Sequence, residues 1–259
     1  MSSAAAPYGR FAGIYDRMDA DDHSRKMVAY TQKIMQRFRI RPVDGLDLCC
    51  GTGTAIAEFA DFGVPMAGLD RSKDMLAEAR KKLKGRKVDL YCQALPRFEI
   101  RDSGRGITGV RRFDLVTCYY DSLNYLLTAR DLKAAFRSVY RHVTPGGWFV
   151  FDMNTPHAMR TIWSSQIWGQ VRDDIAWLFR NEYFESDDSA NLYATFFVKS
   201  GKSWTRFDEK HTERGYPDDQ IRAMLTGVGF VVKGFYCCFT FRKSGPRTNR
   251  IAVVVQRPA

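Results

Sequence analysis

Hydrophobic and polar positions along the first 154 residues fall into short apolar runs separated by segments of helical periodicity. The apolar runs predict five strands, at 43–48, 64–69, 88–92, 113–118 and 148–152. Between them, apolar residues at three- to four-residue spacing predict helices, one at about 54–62, one that begins after Ser72 and one that begins after Thr128. Alternating strands and helices are typical of a parallel sheet with right-handed crossovers and helices on both faces. The sequence therefore predicts a doubly wound α/β fold.

The pattern changes after Asn154, where aromatic residues become frequent. Residues 155–216 hold 12 aromatic side chains, and strand-like runs separated by polar turns, from about 171 to 214, predict two or three antiparallel strands. A helix is predicted after Pro217, and two final strands close the chain as an antiparallel hairpin, at about 230–241 and 249–256. We therefore predict a seven-stranded, mostly parallel sheet formed by 1–154 and 217–259, with a small antiparallel cap inserted at 155–216.

The composition is that of a globular protein. The chain has 259 residues, of which 45% are hydrophobic and 27% charged, so it can bury a core without a metal or a disulfide. No segment approaches the run of about 18–20 apolar residues that a membrane span needs, and the N-terminus lacks the pattern of a secretory signal. None of the six cysteines has zinc-ligand spacing. We expect free thiols, no metal and a cytoplasmic location.

A glycine loop follows the first predicted strand, with the sequence Asp47-Leu-Cys-Cys-Gly51-Thr-Gly53. Doubly wound sheets bind nucleotide-like ligands at this place. Asp70 ends the second strand, 19 residues after Gly51, where a carboxylate can accept hydrogen bonds from both ribose hydroxyls. Ile56 stands where a dinucleotide fingerprint has its third glycine, and an acidic Asp47 favours a cation over a pyrophosphate. These features favour S-adenosylmethionine (SAM) over NAD, although Asp47 could also only organise the loop.

Several segments resemble successive motifs of class I SAM-dependent methyltransferases. They are 47–53, 68–76, 113–116 and 145–152, and residues 8–16 are similar to the helical lid that covers the cofactor in this family. Residues 120–125 and 206–216 resemble one branch, bacterial small-molecule methyltransferases with an antiparallel cap after the fifth strand. The resemblance implies a Rossmann-like fold with a helical lid at 1–40. It also implies SAM as methyl donor, S-adenosylhomocysteine (SAH) as product and a small-molecule acceptor.

The resemblance also implies, position by position, which residues bind the cofactor. Gly51 and Gly53 are expected at its methionine end and Asp70 at its ribose. The family often has an aspartate after the third strand that reaches the adenine amino group, and Ala94 takes that place here, so Gln93 or a backbone carbonyl is the expected substitute. The complete expected set is Tyr8, Tyr15, Asp47, Gly51, Gly53, Asp70, Arg71, Met75, Gln93, Ala94, Cys118 and Tyr119.

Methyl transfer requires alignment of the acceptor, exclusion of water and, for a protonated acceptor, a group that takes the proton. His211 suits this role because the unperturbed pKa of histidine is about 6.5, and Tyr120 and Asp121 are the other catalytic candidates. His211 shares a predicted strand face with Phe207, Glu209 and Glu213, a mixed face on which a structural histidine is equally consistent. The expected substrate-binding residues are Asn124, Tyr125, Asn154, Trp163, Trp168, Arg214 and Tyr216, although most cap aromatics could instead form a core.

The net charge of +11 raises the alternative of an RNA or protein acceptor. The charge is unevenly placed, because residues 155–216 carry a net charge of −1 and the rest of the chain +12. The densest basic run, 80–87, closes the helix after Asp70 and indicates a solvated outer face. This distribution disfavours nucleic acid as a partner. A non-catalytic SAM-binding regulator remains a third alternative, and the sequence leaves open N- or O-methylation and a monomer or a homodimer.

Overall fold

The computed structural model describes residues 8–102 and 109–259, which form six α-helices and two β-sheets. The helices are α1 Asp22–Phe38, α2 Thr54–Asp61, α3 Lys73–Lys82, α4 Ala129–His142, α5 Pro156–Thr161 and α6 Asp218–Thr226. The strands are β1 Gly45–Leu48, β2 Met66–Asp70, β3 Leu90–Cys92, β4 Phe113–Cys118, β5 Val143–Asn154, β6 Ile167–Val171, β7 Ile175–Phe184, β8 Ser189–Ser200, β9 Ser203–Arg214, β10 Val231–Cys237 and β11 Arg250–Gln256.

The larger sheet has seven strands in the order β10-β11-β5-β4-β1-β2-β3. β11 is antiparallel to both of its neighbours, β10 and β5, whereas β1 to β5 pair in parallel. Every residue of β1 and of β2 is buried, as expected of central strands covered by helices on both faces. The predicted Rossmann-like sheet with a C-terminal antiparallel hairpin is confirmed.

Local capping explains where two of the helices begin. The Ser72 hydroxyl accepts the Met75 N–H at 3.1 Å and starts α3, and Thr128 accepts the Asp131 N–H at 3.1 Å and starts α4. Met75 and Leu76 then turn inward from α3 to the sheet, as their spacing predicts. Because α3 begins directly after β2, this cap fixes the chain at the carboxyl edge of the sheet.

The smaller sheet is antiparallel and has four strands in the order β6-β7-β8-β9, where we predicted two or three. The strand missed is β6, all of whose residues are exposed, so that it lacks the alternation of a half-buried strand. The helix α5, which follows Asn154, was also missed. β5 is longer than predicted, since its pairing extends from Trp148 back to Val143 opposite Phe113.

Residues 8–21, here called the lid segment, contain two short 3-10 helices, Arg10–Ile14 and Asp16–Met18. Phe11 and Ile14 form a separate apolar cluster with the inner face of the smaller sheet, in which Phe196 is fully buried. α1 instead packs on α2, where Ile34 and Phe59 belong to an apolar cluster distinct from the main core around β4, β5 and β11. The first seven residues of the lid predicted at 1–40 lie outside the described part of the chain.

Three further observations concern the described residues. No helix among them is long and apolar enough to cross a membrane. No group of three or more histidine, cysteine or acidic side chains in 8–102 and 109–259 is arranged to hold a metal ion. All six cysteines lie in these ranges and are free thiols, as the sequence predicts.

Candidate active site

A cavity of about 860 Å³ lies at the carboxyl ends of the parallel strands. Loops of the larger sheet form its floor, and the lid segment and the inner face of the smaller sheet, which pack on each other, form the opposite wall. Parallel α/β sheets bind ligands at this edge. The volume is near the upper end of the range of about 300–1,000 Å³ that is usual for small-ligand sites, so the cavity is large enough for more than one small molecule.

The glycine loop after β1 forms part of the floor. Gly51 and Gly53 have φ angles of +53° and +79°, in the left-handed region that glycine adopts without strain. A Cβ added to Gly51 would meet no atom within 4 Å, whereas one added to Gly53 would lie 3.0 Å from the Leu83 side chain. Gly51 therefore borders the cavity, and Gly53 instead permits close packing of the loop against the end of α3.

Asp70 stands at the end of β2 beside this loop and is 8% exposed. One of its carboxylate oxygens accepts the Gly51 N–H at 2.9 Å and the other accepts the Ser72 N–H at 2.8 Å. Burial raises the pKa of Asp70, which these two hydrogen bonds oppose. Each oxygen keeps accepting capacity, because a carboxylate has about four lone-pair sites. Asp70 can thus hold the loop and, at the same time, accept hydrogen bonds from the two hydroxyl groups of a diol.

Asp47 borders the cavity below the loop and is almost fully buried. Burial raises its pKa to about 7, although the Thr117 hydroxyl donates a hydrogen bond to its carboxylate at 2.7 Å. Its hydrogen bond is thus to a side chain of β4, which does not support the alternative that Asp47 only organises the loop. A positive charge nearby would favour the ionised form, so the site suits a cationic group.

The expected adenine side of the cavity is bordered by Arg71, Met75, Gln93 and Ala94. The Gln93 side-chain amide is committed elsewhere, since it accepts the Glu99 N–H and donates to the Glu99 carbonyl, both at 3.0 Å. The backbone near Ala94 is therefore the better candidate for an adenine contact. Tyr119 also borders the cavity.

Cys118, in contrast, is fully buried within β4 and does not border the cavity. The nearby thiol that borders the cavity is that of Cys49, in the glycine loop. Cys118 was expected at the site because the family resemblance implies a cofactor contact at this position, at the end of the fourth strand. The side chain of a strand residue points to one face of the sheet or the other, and the sequence pattern of a fully buried strand does not show which.

The lid segment is tied to the floor of the cavity by polar contacts. The Asp16 carboxylate accepts hydrogen bonds from the Thr52 hydroxyl at 2.7 Å and from Lys82 Nζ at 2.8 Å. Asp21 accepts a hydrogen bond from Thr54 at 2.9 Å. Because Thr52 and Thr54 flank Gly53, the same loop that borders the cavity also anchors the lid.

The lid segment is also tied to the smaller sheet. One oxygen of Glu209, on β9, accepts the Tyr8 N–H at 2.8 Å and the other accepts the Phe11 N–H at 3.3 Å. The Phe11 ring stacks on Phe196 with a centroid distance of 4.8 Å. Tyr8 and Tyr15 border the cavity. The lid segment thus joins the floor of the cavity to the smaller sheet.

Replacing Lys82 with methionine should weaken the closed lid. We expect SAH to bind about three- to tenfold more weakly, a free-energy loss of about 1 kcal/mol, because the ion pairs of Lys82 with Asp16 and Asp21 are only partly buried. Isothermal titration calorimetry measures this. Lys81→Met is the matched control, since Lys81 pairs with Glu78 on its own helix. Equal affinities of the two variants would contradict the anchoring role.

A chain of hydrogen bonds crosses the cavity wall from the lid to β9. The Tyr8 and Tyr125 hydroxyls are 2.7 Å apart, and the Tyr125 hydroxyl is 2.9 Å from His211 Nδ1. His211 Nε2 lies 3.4 Å from the Glu209 carboxylate. Burial raises the pKa values of Tyr8 and Tyr125 well above their usual range, so both hydroxyls keep their protons. His211 therefore has a partner at both ring nitrogens and reaches the cavity beside Tyr125.

Tyr120 and Asp121 follow β4 and border the cavity, as predicted. Asp121 accepts hydrogen bonds from Arg250 at 2.8 Å and from the Asn154 amide at 2.6 Å. Arg250 also donates to Asp152 at 2.5 Å. Burial favours a raised pKa for Asp152, but Arg250 and then His23 outweigh it and hold that pKa at about 2. Asp121 is thus part of a charged network, which argues for a positioning role.

Four predicted substrate-binding residues lie behind the cavity wall and do not border the cavity: Asn124, Asn154, Arg214 and Tyr216. The Asn124 amide donates to the carbonyls of Asn154 at 2.9 Å and Arg214 at 2.7 Å. Tyr216 is fully buried in the main core, and its hydroxyl donates to the Leu126 carbonyl. These side chains hold together the loop after β4, the end of β5 and the end of β9.

Trp163 and Trp168, by contrast, border the cavity as predicted. Sequence reasoning missed several ionisable residues that border the cavity as well: Asp19, Asp21, Cys49, Cys50, Glu213 and Arg250. Glu213 lies two residues after His211 on the same strand face, so the alternation of β9 was the signal that could have found it. Arg250 has no such local signal, because its partners are more than 90 residues away in sequence.

The chain is similar to known methyltransferases. A family model described as "Methyltransferase domain" matches residues 46–147. The YqeM chain of Bacillus subtilis (strain 168) is 28% identical over 253 residues, which cover 96% of this chain and 97% of that one. The dTDP-3-amino-3,6-dideoxy-alpha-D-glucopyranose N,N-dimethyltransferase of Streptomyces fradiae is 31% identical over 247 residues, with coverages of 90% and 89%.

A solved structure extends this similarity to the fold. A crystal structure of a SAM-dependent methyltransferase from Clostridium acetobutylicum ATCC 824 superposes with a TM-score of 0.84 at 30% identity, covering 98% of this chain and 100% of that one. The fold is that of an enzyme that uses SAM. The chain belongs to the class I SAM-dependent methyltransferase family.

Proposed function

We propose that this enzyme transfers the methyl group of SAM to a nitrogen or oxygen atom of a small-molecule acceptor. The observation that carries the proposal is the single cavity shared by two sets of residues. Asp70 and the glycine loop lie on its floor, and His211, Tyr125 and aromatic side chains of the smaller sheet lie on the opposite wall. A site enclosed in this way suits a small acceptor better than a polymer.

The residues at the floor fit SAM chemically. Asp70 faces the cavity with accepting capacity for the two ribose hydroxyls. The open space above Gly51 allows close approach of a ligand to the backbone. Asp47 supplies a buried acidic group below the loop, where the positively charged methionine end is expected. Arg71, Met75 and the backbone near Ala94 would hold the adenine.

Bound SAM supplies a methyl group on a positively charged sulfur. The lid segment and the smaller sheet exclude water and fix the direction of approach. Tyr125 is placed to accept a hydrogen bond from the methyl acceptor and to orient it, with His211 behind it. Glu209 orients the His211 ring and binds the lid backbone with the same carboxylate. Closing of the lid therefore completes the hydrogen-bond chain.

Replacing Tyr125 with phenylalanine should slow methyl transfer about tenfold without changing SAH affinity, because it breaks the hydrogen-bond chain and leaves the floor intact. His211→Gln should act similarly, and the double variant should lose little more, since both changes interrupt one chain. Initial rates of label transfer from SAM measure the effect. Tyr193→Phe is a matched control on the outer face of the smaller sheet, where its hydroxyl donates to Glu182. Fully additive losses would contradict a single chain.

The relatives support a small-molecule acceptor, since the Streptomyces fradiae protein is named for an aminosugar nucleotide. We further propose the division into a SAM-binding unit at 1–154 and 217–259 and a substrate cap at 155–216. The cytoplasmic location and the monomer or homodimer remain predictions from the sequence.

A labelled-methyl experiment tests the proposal. Purified enzyme and methyl-labelled SAM are incubated with bacterial extract that is separated into an ultrafiltered small-molecule fraction, RNA and protein. We expect label in the small-molecule fraction, unaffected by prior treatment with RNase or protease. Label confined to RNA or protein would contradict the proposal. Binding of SAH with no transfer in any fraction would instead favour the non-catalytic regulator.

A further inference from the structure

Glu213, near the end of β9, is a carboxyl group without an assigned role in the site described above. It is 2% exposed and borders the cavity on the side of His211 and Tyr125. One of its oxygens accepts a hydrogen bond from the Asn154 amide at 3.1 Å. That contact fixes the carboxyl group on the acceptor side of the cavity. The backbone pairing of Glu213 with Ala190 of β8 holds its position further.

The charges around Glu213 do not balance. Arg250 pairs with Asp152 at 2.5 Å and with Asp121 at 2.8 Å, and His23 lies 3.2 Å from Asp152. Among the ion pairs of the described residues, none includes Glu213. Arg250 and His23 thus serve Asp121 and Asp152, and Glu213 is a third carboxyl group beside them. Burial, and then the neighbouring Asp121, raise the pKa of Glu213 well above its usual range.

A buried carboxylate without a counter-charge is costly, and a cation brought by a ligand removes that cost. Trp163 and Trp168 also line the cavity, and the face of an indole ring favours a cation. An acceptor with a hydroxyl group would bring no positive charge, and it would leave the Glu213 carboxylate without a counter-charge. The chemistry of the wall therefore selects a protonated amine.

We propose that the methyl acceptor is a primary or secondary amine and that Glu213 binds its ammonium form and takes its proton. This inference rests on the proposed function. The raised pKa makes the ionised carboxyl a stronger base than an exposed glutamate. Binding of the ammonium group favours the ionised form of Glu213, whose own proton leaves to solvent, and a proton then passes from the ammonium nitrogen to this carboxylate. The neutral nitrogen then forms a bond to the methyl carbon as the carbon–sulfur bond breaks, and the sulfur keeps the electron pair and loses its charge.

The test uses the full-length enzyme, methyl-labelled SAM and the small-molecule fraction of bacterial extract, in two arms. In the first arm, the fraction is treated with an N-hydroxysuccinimide ester that acylates amines at neutral pH, and the reagent is quenched before assay. In the second, untreated fraction is assayed with Glu213→Gln, Glu213→Asp and the control Glu185→Gln, a side chain exposed in the turn after β7. Calorimetric SAH affinity and thermal melting of each variant report on cofactor binding and folding.

We expect acylation of the fraction to abolish most label transfer. Glu213→Gln should lower the transfer rate about tenfold or more at limiting acceptor, because a charge-assisted hydrogen bond is lost. Glu213→Asp should recover part of the rate, and both variants should bind SAH as the wild type does. Transfer that survives acylation would overturn the inference and leave the proposed function standing.

Three other outcomes would also contradict the inference. Unchanged transfer by Glu213→Gln would overturn the role of this carboxyl. A loss of SAH affinity in Glu213→Gln that accounts for the slower transfer would place the side chain at the charged end of the cofactor instead, and it too would overturn the inference. Absence of transfer by the wild type in every fraction, with SAH still bound, would remove the proposed function and this inference together.

Discussion

Replacing Asp70 with asparagine is expected to weaken the binding of SAM and SAH about 100-fold or more. The carboxylate is expected to accept hydrogen bonds from both ribose hydroxyls, and each charged hydrogen bond contributes about 1.5–3 kcal/mol. Asp70 also accepts the backbone N–H groups of Gly51 and Ser72. An asparagine would oppose one of those donors with its own NH2 group and loosen the loop.

Isothermal titration calorimetry with SAH measures the effect, and thermal melting separates a loss of binding from a loss of folding. Asp74→Asn is the matched control, because Asp74 is an exposed acidic residue in the first turn of α3. Wild-type affinity in a folded Asp70→Asn variant would show that the ribose lies elsewhere.

Replacing Arg250 with methionine is expected to lower the free energy of unfolding by about 3–5 kcal/mol, as when one partner of a buried ion pair is removed. The change leaves Asp152, which is fully buried, and Asp121 without their cation. Urea denaturation at neutral pH measures the loss of stability. Arg247→Met, at an exposed side chain, is the control. Adding Asp121→Asn and Asp152→Asn to the variant should restore much of the stability, since the two carboxylates that paired with Arg250 are then neutral amides.

The pH dependence of this effect follows from the pKa of Asp152, which Arg250 and His23 hold at about 2 against the effect of burial. A depressed pKa stabilises the wild type above the unfolded value of 3.8, and this contribution is lost as the pH falls towards 2. Without Arg250, burial dominates and protonation relieves the cost. The difference between wild type and Arg250→Met should therefore shrink from neutral to acidic pH. A constant difference would contradict the role given to this pair.

The part of the fold that the sequence predicts well depends on local patterns. The central strands are continuous apolar runs, and Ser72 and Thr128 are capping residues that hold their helix starts in the structure. Asp70 is placed correctly because strand end, glycine loop and helix start are all close in sequence. The sequence pattern did not predict β6, because this strand is exposed at the edge of its sheet and has no buried face.

The direction of side chains at the end of a strand depends on packing that the sequence does not display. Asn124 and Arg214 carry suitable chemistry at suitable places, yet tertiary contacts turn them behind the cavity wall. Alternation along β9 groups Glu209, His211 and Glu213 on one face, but burial of that face depends on the lid. Lys82 belongs to a basic run interpreted as solvated, and it instead reaches Asp16 of the lid segment.

A crystal structure of the SAH complex tests the central claim most directly, because that claim assigns the two halves of one cavity to cofactor and acceptor. We predict the ribose hydroxyls of SAH on the Asp70 carboxylate, with the sulfur directed towards the wall formed by Tyr125 and Glu213. SAH bound outside this cavity, or with its ribose away from Asp70, would contradict the claim.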